Sequence, residues 1–140
     1  MIKSGYNSLN ESYSAENNLK TILKKFISKT GVHNGGDCAT VAKFIEDYLY
    51  SIDAYDYSFS GEVVDGGLGH ILVKFRGKYY DGVEGVVKTS GRKIVDNLKD
   101  DGVSIGNDTY GWINYKLGSS NFRSTKDYKI FNDIVDEVES

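Results

Sequence analysis

The sequence predicts an α+β domain in which an antiparallel sheet packs against a helix beginning at Cys38. Three observations carry the expectation. Apolar residues recur at helical spacing in two stretches before residue 52 and in one at the C-terminus. Between them lie short β-branched and aromatic runs. Those runs are punctuated by glycine pairs, and the chain has no proline, so glycine must shape its turns. At 140 residues and 39% apolar, the chain can bury one core, and residues 1–140 are read as a single domain.

Residues 1–14 are polar and without a clear period, and are expected to form a loose arm. From Ser14, a candidate cap, Leu19, Ile22, Leu23, Phe26 and Ile27 predict a helix ending near Lys29, ahead of Gly31. The Gly31–Gly36 stretch reads as a loop. A second helix is expected over 38–51, because Cys38, Val41, Ala42, Ile45, Tyr48 and Leu49 form one apolar stripe. A linker around 53–56 leads to a strand near 57–65. Residues 66–69 read as a turn and 70–75 as a strand. Arg76-Gly77 is a tight turn into a strand from Lys78 to Asp81 or beyond. Ile94, Val95 and Leu98 predict a short helix over 91–100. One or two strands are expected in 102–118 around Trp112, and Ile130, Phe131, Ile134, Val135 and Val138 predict a helix over 126–139.

Net charge is −3 and there is no basic stripe, so neither nucleic acid nor an anionic membrane is an expected partner. No apolar run approaches the roughly 18 residues of a membrane span, and the N-terminus has no apolar signal-peptide core. Cys38 is the only cysteine, which excludes an intrachain disulfide and a multi-cysteine zinc site. A reducing, cytoplasmic setting is the expectation. The 11 tyrosines suit either a biased composition or an adhesive surface.

The candidate chemistry lies at Gly35-Gly36-Asp37-Cys38. Asp37 can cap the second helix through its side-chain oxygen. Cys38 then stands at the helix start, where the partial positive charge favours a thiolate. A two-residue loop at Arg76-Gly77 pairs Phe75 with Lys78, Lys74 with Tyr79 and Leu72 with Asp81. His70, Leu72, Tyr79 and Asp81 then share a face, with His70 and Asp81 as diagonal neighbours. Thiol, imidazole and carboxylate in this relation suit nucleophilic catalysis: the imidazole holds the thiolate and protonates the leaving group, while the carboxylate orients the ring. The glycines before His70, Gly69 among them, would let a substrate backbone approach.

Gly36-Asp37-Cys38 opening a helix, Gly69-His70-Ile71-Leu72-Val73 as a strand and Gly77-Lys78-Tyr79-Tyr80-Asp81 after it resemble the papain-like superfamily, closest in its transglutaminase-like branch. The resemblance covers about residues 35–85. It implies Cys38 as nucleophile, His70 as base and Asp81 as orienter, with no metal or other cofactor. The implied chemistry is thiol-mediated acyl transfer at amide bonds of a protein or peptide: peptidase, deamidase or transglutaminase. Asn34 or His33, with the Cys38 backbone N–H, would supply the oxyanion hole. Trp112, Tyr79, Tyr80 and Tyr110 are candidate groove walls, though Trp112 suits the core better.

Simpler readings stand beside this one. Cys38 suits core packing, and Asp81 suits a strand end. His33 could contact the thiol from the preceding loop. A metal site on His33, His70, Cys38 and Asp81 lacks ligand pairs at helical or knuckle spacing. The rival function is a non-catalytic binding or inhibitor module on the same fold, of the kind phages and mobile elements encode. Ile71, Val73 and Phe75 outweigh the His70 face in apolar character, so the expectation is a sheet covered on both sides, with the Cys38 helix on the His70 side.

Overall fold

A computed structural model describes residues 5–31, 38–98 and 125–140. Three helices, α1 (Gly5–Thr30), α2 (Cys38–Ser51) and α3 (Lys126–Glu139), accompany five strands. These are β1 (Tyr57–Val64), β2 (Gly67–Phe75), β3 (Lys78–Asp81), β4 (Gly85–Val86) and β5 (Ile94–Val95). The sheet order is β4-β3-β2-β1-β5, every neighbouring pair antiparallel. The architecture is α+β, as expected.

Helix α1 begins at Gly5 rather than Ser14, so most of the expected arm is helical. Extending a helix adds one hydrogen bond per residue to an existing nucleus, and nothing in 5–14 breaks it. At the other end Gly31 adopts φ +83° and donates its N–H to the Ile27 carbonyl at 2.8 Å, a glycine C-terminal closure. Helix α3 starts where Thr125 Oγ1 accepts the Tyr128 N–H at 3.1 Å.

The three helices meet in an aromatic junction. Phe44 of α2 lies 6.0 Å from Phe26 of α1 and 5.4 Å from Phe131 of α3, centroid to centroid. Glu139 of α3 accepts from Tyr48 of α2 and Asn18 of α1, joining the same three helices at a polar end. All six residues of the α2 stripe are buried.

Two hairpins build the sheet. The first turn is Asp65-Gly66 alone, with φ +53° and +78°, and Val64 pairs with Gly67. Gly67, Leu68 and Gly69, expected as turn, are therefore strand, because two left-handed residues suffice to reverse the chain. A bulge separates Glu62 from Val63 along β1. The second turn is Arg76-Gly77, φ +51° and +84°, and its register pairs Phe75 with Lys78 and Lys74 with Tyr79 as predicted. No helix forms over 91–98. Val95 and Ile94 pair instead with Gly61 and Glu62 of β1, where β-branched side chains fit the pleat. The strands expected in 102–118, with Tyr110 and Trp112, lie outside the described residues.

One expectation about layers is corrected. Ile71, Val73, Phe75 and Tyr80 share a single buried core with the apolar residues of α1, α2 and α3. Helix α2 thus packs on the Ile71 side, not the His70 side. The larger apolar area lies there, and burial of that area decides which face the helices cover. The other face carries polar groups: Asp96 accepts from Lys74 at 2.8 Å, Tyr79 at 2.7 Å and the fully buried Ser60 at 3.0 Å. Tyr80, a candidate groove wall, is instead core, beside Phe75.

Candidate active site

The site forms where β3 stops. Asp81 is its last residue, and the chain then turns back through Gly82 and Val83 to β4. Asp81 itself makes that turn. Its Oδ1 accepts the backbone N–H groups of Val83 at 2.9 Å and Glu84 at 2.8 Å. This leaves Oδ2 for the neighbouring strand, where it meets Nε2 of His70 at 2.7 Å. The diagonal relation read from the hairpin register is what the structure contains.

Cys38 completes the group. Its thiol acts on the His70 imidazole, helping to push the ring's pKa up. Asp81 occupies Nε2, so Nδ1 is the ring nitrogen left for sulfur. Helix α2 packs on the Ile71 face, with Cys38 in the same core. The approach of α2 to the end of β3 is close: a Cβ on Gly82 would stand 2.9 Å from Val41 Cγ2. Val41 is one turn from Cys38 on the same stripe, so a bare backbone at Gly82 lets the first turn of α2 come up beside the sheet.

Burial orders the three groups. Asp81 is 3% exposed, Cys38 2% and His70 9%. Burial disfavours the imidazolium, yet hydrogen bonds to Asp81 and Cys38 and their charges outweigh it, and the His70 pKa is pushed up to about 9. For Asp81, burial works against ionisation, but His70 and the Glu84 and Val83 N–H groups hold its carboxyl below the usual value. A protonated ring beside the Asp81 carboxylate is therefore the favoured state at neutral pH.

As the first residue of α2, Cys38 has a backbone N–H that no helical carbonyl takes. Asn34, Gly36 and Asp37, together with His33, lie outside the described residues. Gly69 has a steric role in the hairpin, since a Cβ there would sit 2.9 Å from the Val64 side chain. Among the described residues no group of three or more His, Cys, Asp or Glu side chains is arranged to hold a metal ion. No described helix is long and apolar enough to cross a membrane.

Sequence reading missed Gly82, whose importance depends on a contact between segments 41 residues apart in number (82 − 41). Glycine directly after the carboxylate was the available signal. No family model, curated protein or solved structure matches this chain.

Proposed function

We propose that this chain is a cysteine-dependent acyltransferase or hydrolase of amide bonds in proteins or peptides, built on a papain-like or transglutaminase-like plan. The observation that carries the reading is the His70 imidazole bound to Asp81 at 2.7 Å, with the Cys38 thiol acting on the same ring. In the reaction the Cys38 thiolate adds to the amide carbonyl carbon. The Cys38 N–H receives the developing oxyanion. Imidazolium then gives its proton to the departing amine as the C–N bond breaks, leaving a thioester. Water or a second amine attacks that thioester, His70 takes the attacking group's proton, and the thiolate departs. Asp81 keeps the ring oriented throughout. A lone cysteine that must stay reduced suits a cytoplasmic protein.

The test is acylation by p-nitrophenyl acetate, followed by nitrophenol release and intact mass. Wild type should release one equivalent in a burst and carry an acetyl group on Cys38. His70→Ala should slow this by roughly 10²-fold or more, and Cys38→Ser should abolish the adduct. Equal rates in wild type and His70→Ala would overturn the reading.

The burial of the thiol favours a second reading, a binding module on the same fold whose triad is unused. It requires that Cys38→Ser keep the biological activity intact.

A further inference from the structure

A second carboxylate lies next to the imidazole. Glu62 of β1 is the direct cross-strand partner of His70, beside the bulge that follows it. Directly opposed side chains share a face with Cβ atoms roughly 5 Å apart, so Glu62 is within reach of the same ring that Asp81 orients. Its carboxyl is gripped by Arg92. The guanidinium engages both oxygens, Nε to Oε2 at 3.0 Å and Nη2 to Oε1 at 2.7 Å, a two-pronged grip. Its remaining nitrogen, Nη1, donates to Glu84 Oε2 and to the Lys88 carbonyl. Glu84 is the residue whose backbone N–H holds Asp81 Oδ1. The Glu84 carboxylate also accepts the Lys88 N–H at 3.2 Å, closing the loop on itself.

We infer that Arg92 is a positioning residue for the triad: it keeps Glu62 off His70, so that the imidazole has one carboxylate partner. The inference rests on the reading of Cys38, His70 and Asp81 as a working triad. Among the described residues, the titratable groups that act on the ring are Cys38 from α2, Asp81 from β3 and Glu62 from β1. Without the guanidinium, Glu62 is a free carboxylate opposite an imidazolium, and a ring turned toward it no longer presents Nδ1 to sulfur. Lysine cannot replace the fork, because one ammonium cannot satisfy Glu62 bidentately and still hold Glu84.

The experiment compares wild type, Arg92→Ala and Arg92→Ala/Glu62→Gln. Acylation of Cys38 by p-nitrophenyl acetate is read beside the NMR titration of His70, one of only two histidines. Arg92→Ala should acylate roughly tenfold more slowly, with the imidazole titrating at higher pH than in wild type. Adding Glu62→Gln should bring the rate back to within about threefold of wild type and return the titration. Should Arg92→Ala fail to fold, Arg92→Lys carries the same comparison, with a smaller loss relieved by Glu62→Gln. An unchanged single variant, or a double variant as slow as the single, overturns the assignment while leaving the triad standing. If wild type acylates no faster than His70→Ala, the triad fails, and the role of Arg92 with it.

Discussion

Asp81 uses its two oxygens for two purposes, one to turn the backbone and one to hold the histidine. Asp81→Asn separates them. An amide oxygen can still accept the Val83 and Glu84 N–H groups, but the –NH₂ then confronts Nε2–H and forces the other tautomer. The fold should lose about 1–3 kcal/mol in urea unfolding, whereas acylation of Cys38 should fall roughly 10²- to 10⁴-fold. A rate loss no larger than the stability loss explains would make Asp81 a turn residue only. Cys38→Ser should leave stability within about 1–2 kcal/mol while removing the adduct. At this scale the sequence was informative: a two-residue glycine turn sets register, and register sets which side chains share a face. Arg92 and Glu62 were not legible, since 30 residues separate them and only the pairing of β5 with β1 brings them together.

Helix α2 and the β3–β4 turn are fitted to each other through Gly82 and Val41. Gly82→Ala places a methyl against Val41 and should cost about 1–3 kcal/mol. It should also move the thiol relative to the ring, slowing acylation more than unfolding data alone suggest. Val41→Ala, combined with it, opens space for that methyl and should recover part of the rate. No recovery would mean that α2 is placed by other contacts. The extent of α2 was readable because its apolar stripe is continuous from Cys38 to Leu49. Residues 91–98 misled because Ile94, Val95 and Leu98 match a helical period, yet hydrogen bonds to the open edge of β1 outweigh local periodicity.

Across the whole molecule the placement of Cys38 depends on the aromatic junction that anchors α2. Phe44→Ala should cost about 3–5 kcal/mol, a large share of a domain's usual stability of about 5–15 kcal/mol, measured as a fall in the urea midpoint. The pH dependence of stability is set in part by His70. Its folded pKa of about 9 lies above the ordinary 6.5, so the stability it contributes is complete below about pH 6.5 and is lost as pH climbs through about 9. Asp81, lowered from 3.8, contributes stability that is complete above that value and lost as pH falls through its folded pKa. Unfolding at pH 6 and pH 9.5 should show wild type losing on the order of 1–2 kcal/mol more than His70→Ala. Equal losses would mean that His70 gains no proton affinity on folding.

Local order along the chain was enough to establish the helix start at Cys38, the Arg76-Gly77 turn and the common face of His70 and Asp81, because each depends on neighbours within a few residues. Which side of the sheet the helices cover, how closely α2 meets the β3–β4 turn, and which cation restrains Glu62 came only with folding. Those outcomes turn on competition between distant surfaces for burial and between distant charges for one another, and no short stretch of sequence records the winner.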